Sequence, residues 1–413
     1  MFKNKKIIFS NFFSLSLLEV SNYLFPLITL PYVVRTLGSD NYGFIAISTA
    51  ITNYLLIIVG YGFNIWATKE IAQNKNLDQR NYIFSGVIYS KFLLAVLILF
   101  ISYIMLLLFE IDIVLKTLLM ISFLMVVPNV FYPIWFFQGV QKMHYLTIFH
   151  FFIKLISMIL IFSLINDSKD FYMVPLFTLI SSTFISVISL ILLNKRFNIK
   201  FIYLNFNQIA HFLKKPFQIF LNHFWDTFHT NLPILSLSFF VSPSEVAYFS
   251  VAEKIVNALS NILKSFSRAI FPFFASLVND SVSHAKEMIN KIGIYLFFLT
   301  LIVVLFINIF SSQIIEILFG KDYLASILIL KFLSFFCLFT TIKQFFITQG
   351  LINFNNFNLA AKVPFYGSLL SLFLMPITTF LYGAIGLSFI IVLIELTLLI
   401  ITIAYYIKIV KNL

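Results

Sequence analysis

Charge is scarce in this sequence. Only 11% of its 413 residues are Asp, Glu, Lys or Arg and 61% are hydrophobic, whereas soluble domains use roughly 25% and about 45–50%. A water-soluble globule is excluded. The single cysteine, Cys337, lies inside an apolar run, so no internal disulfide can form and the residue reads as a small core side chain. HExxH, GxSxG, Walker A, CxxC and DxD patterns are absent, and His223-Phe224-Trp225-Asp226 is too loose to mean acyl transfer. No catalytic residue, metal site or bound cofactor is therefore expected, and without a nucleotide-binding loop ATP cannot drive this chain directly. Long polar loops are missing too, which leaves no room for a separate soluble domain.

What is abundant is apolar sequence. Runs fall at about 9–34, 42–66, 83–109, 114–136, 146–166, 172–194, 217–241, 246–274, 290–311, 325–348, 363–381 and 385–407. About twelve spans of about 20 residues each are what such a composition can keep in hydrocarbon. The expected fold class is an all-α, multi-pass membrane protein with about 12 transmembrane helices. The basic start Met1-Phe2-Lys3-Asn4-Lys5-Lys6 imitates a secretory signal, but the apolar stretch lacks a small-residue cleavage site and reads as a retained first span. The 54 phenylalanines, like the excess of Ile, Asn and Lys, read as genome base bias.

A net charge of +12 would suggest a nucleic-acid partner in a soluble protein. With the N-terminus inside, however, seventeen Lys and Arg fall in cytoplasmic segments, against four outside: Arg35, Lys116, Lys169 and Lys321. This is the positive-inside bias of a bacterial inner-membrane protein with both termini cytoplasmic. The positive charge is accounted for by topology and anionic-lipid contact, and no nucleic-acid partner is expected.

The longest loop, about 195–216, carries Ile202, Phe206, Ile209, Phe212 and Leu213 at near-helical spacing, which predicts an interfacial helix. It lies midway along the chain. Glu19, Pro26 and Tyr42 in the first half are echoed by Asp226, Pro233 and Tyr248, and Phe137-Gln138-Gly139-Val140 by Thr348-Gln349-Gly350-Leu351. The expected organisation is a six-helix lobe at 1–194, a linker at 195–216 and a second six-helix lobe at 217–413. Six spans is an even number, so the repeats are parallel.

Charges inside spans cost about 2.5–3.5 kcal/mol each and need a partner or a hydrated cavity. Seven basic residues (Lys91, Lys154, Lys254, Lys264, Arg268, Lys331, Lys343) and four acids (Glu19, Asp226, Glu253, Glu395) lie within the runs. In the eighth span, Lys254, Asn257, Asn261, Lys264 and Arg268 share one helical face about 21 Å long. Snorkelling to the surface can explain Lys264 and Arg268 but not Lys254 and the asparagines. Lys91, Lys154, Lys331 and Lys343 lie about two turns or less from span ends, where snorkelling is the simpler reading. Asn222, Asp226, His229 and Pro233 in the seventh span, and Glu19, Asn22, Pro26 and Thr29 in the first, extend the polar set toward one shared cavity. Pro26 and Pro233 each free a carbonyl one turn back, giving a kink or a hinge. The substrate-binding candidates are thus Lys254, Asn257, Asn261, Lys264, Arg268, Asn222 and Asn22. The ion-coupling candidates, for H+ or Na+, are Asp226, Glu19 and His229; an ion pair between halves is the other reading of the two acids.

The stretch Leu30-Pro31-Tyr32-Val33-Val34-Arg35-Thr36-Leu37-Gly38-Ser39-Asp40-Asn41-Tyr42-Gly43 resembles the first-span exit of bacterial Wzx-type polysaccharide flippases. Pro133-Ile134-Trp135-Phe136-Phe137-Gln138-Gly139-Val140-Gln141-Lys142-Met143 and Tyr248-Phe249-Ser250-Val251-Ala252-Glu253-Lys254-Ile255 resemble the same family, as does Ile317-Leu318-Phe319-Gly320-Lys321-Asp322-Tyr323. The resemblance implies a two-lobed architecture shared with multidrug exporters of the MATE kind. It also implies an oligosaccharide on undecaprenyl pyrophosphate as substrate, the O-antigen repeat unit of lipopolysaccharide biosynthesis, with other polysaccharide-assembly proteins as partners. An ion-coupled multidrug-type exporter is the nearest alternative, disfavoured by the shortage of glycine. A lipid II flippase is disfavoured by the lack of an arginine-rich first span and two extra helices. A membrane-embedded polysaccharide polymerase is disfavoured by the lack of a sizeable periplasmic loop.

The charge split makes a direct test available. Reporter fusions after Arg196 and after Leu413 are expected to read cytoplasmic, and one in the Asn166 to Phe171 loop periplasmic; the opposite pattern would refute the topology.

Overall fold

The computed structural model describes the backbone of residues 2–411, and within it all side chains except those of residues 2–16, 19, 20, 23, 222, 226, 265, 266, 268, 269, 272 and 279. The helices in chain order are α1 Phe2–Gly60, α2 Phe63–Gln73, α3 Leu77–Leu108, α4 Ile113–Phe123, α5 Val126–Val130, α6 Ile134–Gly139 and α7 His144–Leu164. They continue with α8 Met173–Phe197, α9 Phe206–Lys214, α10 Phe217–Phe240, α11 Pro243–Asp280, α12 Val282–Phe319, α13 Ser326–Phe345 and α14 Phe357–Lys411. A π-helical turn, Phe346–Ile352, extends α13. No strand occurs among the described residues. The chain divides into two compact units, Met1–Thr227 and Phe228–Leu413.

Eight segments of the described residues are long and apolar enough to cross a membrane. Two of them, Leu24–Gln73 and Phe357–Lys411, are far longer than the about 20 residues a single crossing needs. Each contains a glycine that ends one helical limb and starts another: Gly38 at φ 79° and Gly383 at φ 59°. Only glycine takes such backbone without a Cβ clash, so the breaks are written in the sequence.

In the first unit, two side chains of the Leu30–Gly43 stretch tie α1 to the segment that follows α7. Tyr32 Oη donates to the Ile165 carbonyl at 2.6 Å and Asn41 Nδ2 to that of Ser168 at 2.9 Å. The expected fourth span, 114–136, is found as one apolar crossing segment, Ile113–Gly139, whose helix is broken into α4, α5 and α6. Proline explains the break between α5 and α6, because Pro133 has no N–H to offer the Asn129 carbonyl one turn back. The fully buried Lys91 of α3 donates to that carbonyl at 3.0 Å. Lys91 therefore does not snorkel, as its position near a span end suggested; a free carbonyl in hydrocarbon is a stronger claim on its ammonium than water at the surface.

Beyond the break, Trp135, Phe136 and Phe137 are fully buried and α6 lies against α2. Gly139 permits the approach: a Cβ there would meet Ile71 at 2.8 Å and the Thr68 carbonyl at 2.9 Å. Thr68 Oγ1 donates to Gln138 Oε1 at 3.2 Å. In the second unit the corresponding Gln349 donates through Nε2 to the Ser267 carbonyl at 2.8 Å, and a Cβ at Gly350 would meet the Tyr406 ring at 2.7 Å. The paired Gln-Gly sequences thus perform the same task in each unit, a hydrogen bond to a facing helix beside a close approach. α9 opens with a reciprocal cap between Asn205 and Gln208. It docks through Phe212, buried edge-on to Trp66.

Lys91→Met is expected to lower stability by about 1–3 kcal/mol, the cost of leaving a buried carbonyl without a donor. Thermal unfolding in detergent measures this, and an unshifted melting temperature would show that Asn129 has another donor.

Candidate functional site

The second unit gathers polar groups around α10. Pro233 lacks an N–H, so the His229 carbonyl one turn earlier has no helical donor and the helix can bend there. The His229 side chain is buried. Its Nδ1 lies 2.6 Å from Ser371 Oγ and its Nε2 lies 3.1 Å from Glu395 Oε1, both on α14. A carboxylate only accepts, so in the neutral ring Nε2–H donates to Glu395 and the Ser371 hydroxyl donates to Nδ1. The other oxygen of Glu395 meets Lys343 Nζ of α13 at 2.6 Å. Gly367 leaves room for this packing, since a Cβ there would meet Leu398 at 2.9 Å and the imidazole at 3.8 Å. One carboxylate thereby joins α10, α13 and α14, with Ser371 and Glu395 on opposite sides of the Gly383 break.

Beside His229 lies a cavity of about 50 Å³, bordered by Thr230 and Pro233 of α10, Glu253 and Asn257 of α11, and apolar side chains including Phe249 and Phe336. The space is large enough to admit water. It is too small for a sugar.

Of the expected site residues, His229 and Asn257 come together at this cavity. Lys254 is exposed, while Asn261 and Lys264 are half-buried further along the same face of α11. Asn22 is exposed on α1 in the first unit, and Pro26 leaves its carbonyl without a helical donor. Glu19, Asn222, Asp226 and Arg268 lie outside the described residues. The sequence reading missed Lys343, assigned to snorkelling, and Glu395, left without a role. Lys343 is instead drawn to a buried carboxylate. The signal was available, since Glu395 sits near the middle of the 385–407 run, too far from either end to reach water.

The family model described as "Polysaccharide biosynthesis protein" matches residues 8–278. The chain belongs to this family. Among its relatives, a protein of Escherichia coli (strain K12) described as "Putative O-antigen transporter" is 28% identical over 387 residues, covering 93% of this chain and 92% of its own length. A protein of Shigella dysenteriae with the same description is 30% identical over 286 residues, covering 69% and 70%. The family member's fold is similar to that of a multidrug resistance MATE family transporter of the MOP superfamily, with TM-score 0.76 at 13% identity over 97% of this chain and 98% of the other. It is also similar to the lipid II flippase MurJ, with TM-score 0.71 at 17% identity over 96% and 90%. The likeness to these two structures shows an all-α fold of the MATE kind.

Glu395→Ala is expected to cost about 3–5 kcal/mol because it strands the Lys343 charge in the core. The double variant Lys343→Met/Glu395→Leu should recover most of that loss. Equal melting temperatures for the Glu395→Ala variant and wild type would refute the pairing.

Proposed function

We propose that this protein flips an undecaprenyl-pyrophosphate-linked oligosaccharide, an O-antigen repeat unit, from the cytoplasmic to the periplasmic leaflet of the inner membrane by alternating access. The observation that carries this reading is the α11 face. Lys254, Asn257, Asn261 and Lys264 repeat at helical spacing along one face of α11. Ammonium groups are strongly attracted to a pyrophosphate where water is scarce, and asparagine amides suit sugar hydroxyls. The lipid tail can remain in the bilayer while the sugar crosses. The descriptions of the Escherichia coli and Shigella dysenteriae relatives support the same substrate class.

Energy for the cycle is proposed to come from H+ or Na+ coupling. Glu19 and Asp226 occupy matching positions seven residues before a proline, with His229 one turn from Asp226. A change in their charge would bias one opening of the cavity over the other. Because His229 is held by Ser371 and Glu395, any proton it takes would also act on the clamp formed by α10, α13 and α14.

Lys254→Ala is expected to abolish surface polysaccharide at unchanged protein level, and Lys254→Arg to retain part of it. In proteoliposomes, flipping of the lipid-linked oligosaccharide should respond to an imposed pH or sodium gradient, with the response lost in Asp226→Asn or Glu19→Gln. Full activity of Lys254→Ala would refute the α11 face. Gradient-independent flipping by wild type would leave passive, lipid-gradient-driven transport.

A further inference from the structure

The first unit contains a second concavity, whose lining includes no residue of α11 and which the proposed transport cycle does not use. It has a volume of about 430 Å³ and opens where α8 ends and the chain turns toward α9. The turn is built by Asn198, whose left-handed backbone ends α8. The Ile199 amide then donates back to the Leu193 carbonyl at 3.3 Å. This cap brings the buried side chains of Ile199 and Leu193 together as an apolar floor. One wall is the ring pair of Phe84 and Phe201, with centroids 4.9 Å apart. Phe201 is 52% exposed, an aromatic face turned outward beside the opening.

The rim is basic. Lys195 and Lys200 border the opening, and both are exposed. Placement in the last turn of α8 is enough to explain Lys195 as a dipole-compensating cation. It does not explain Lys200, which lies beyond the helix. The backbone there is pinned, because the Lys200 amide donates to Asn81 Oδ1 and the Ile202 amide to Ser85 Oγ, each at 2.9 Å. Asn81 and Ser85 are themselves buried on α3, so the groove is held open by side chains of a neighbouring helix and is not a chance gap between mobile loops.

Its position sets the chemistry. α8 belongs to an apolar segment able to cross the bilayer, Ser168–Phe197, and the amphipathic α9 follows within ten residues. The groove therefore sits at the boundary between hydrocarbon and water. A ligand there meets an apolar floor on one side and two ammonium groups on the other. We propose that the groove holds one anionic membrane phospholipid, its acyl chain against Leu193, Ile199 and Phe201 and its phosphate between Lys195 and Lys200. Basic pockets at the ends of transmembrane helices recognise anionic headgroups in this way. The bound lipid would fasten the turn between α8 and α9 to the bilayer.

The test is made on the full-length protein in nanodiscs containing equal phosphatidylglycerol and phosphatidylcholine, with retained lipid counted by native mass spectrometry after gentle extraction. Wild type is expected to retain phosphatidylglycerol at least fivefold over phosphatidylcholine. Lys195→Gln/Lys200→Gln should bring that ratio close to one, and Phe201→Ala, which alters no charge, should lower total retention at least twofold. Both variants replace exposed side chains, and an unchanged melting temperature in lipid-free detergent confirms that they fold. Equal retention of the two phospholipids by wild type, or an unchanged ratio in the double lysine variant, overturns the proposal. So does displacement of phosphatidylglycerol by equimolar undecaprenyl phosphate, which would assign the groove to the transport substrate.

Discussion

A polar group placed in hydrocarbon must find a partner inside the protein, and most of the local features of this structure follow from that requirement. The Asn129 carbonyl released by Pro133 is met by Lys91. The Glu395 carboxylate is met by Lys343 on one oxygen and His229 on the other. Buried serines and threonines return their hydroxyls to carbonyls one turn back, as Ser181, Ser189, Thr300 and Thr402 do. The serine and threonine bonds stay within one helix, whereas the Lys91 and Glu395 contacts link different helices and so fix rotations that apolar packing alone would leave free, because lipid tails are as apolar as the side chains they touch.

Prolines and glycines act within this constraint as positioning devices. A proline in or after a helix exposes one carbonyl, and for Pro133, Pro233 and Pro26 the residue carrying it is Asn129, His229 and Asn22. A glycine either turns the chain, as Gly38 and Gly383 do, or lets two helices approach, as Gly139 does against Thr68. The scarcity of both residues in a chain of 413 is consistent with such specific use. The Gln-Gly pairs show it most clearly, since Gln138 and Gln349 each bond to a facing helix next to a glycine that brings that unit's packing closer.

Much of this was legible in the sequence. The apolar runs mark the helices because hydrocarbon demands long uninterrupted stretches, and the α11 face is visible because helical periodicity is a short-range pattern. The short α9 was legible from Phe206, Ile209, Phe212 and Leu213 for the same reason. The break of the fourth run was harder to see: Pro128 and Pro133 sit in otherwise ordinary apolar sequence, and nothing near Asn129 announces a lysine 38 residues upstream. Lys343 was misread for a similar reason. Distance from a span end is a local property, whereas the carboxylate that holds it lies on another helix. Long-range pairing is decided by packing, which no window along the chain contains.

The Lys343–Glu395 pair also imposes an order on biogenesis. Lys343 leaves the ribosome fifty-two residues before Glu395 does, so at about 5–20 residues per second α13 is complete for about 3–10 s before its counter-charge is synthesised. During that interval the ammonium has no carboxylate to neutralise it, and α13 is a poor candidate for release into lipid. It is best retained by the insertion machinery until the second limb of α14 arrives. His229, made 166 residues ahead of Glu395, waits longer still. The last limb of the chain is therefore the element that licenses the second unit to close, and a nascent chain halted before Glu395 would present quality-control proteases with an unneutralised charge in the bilayer.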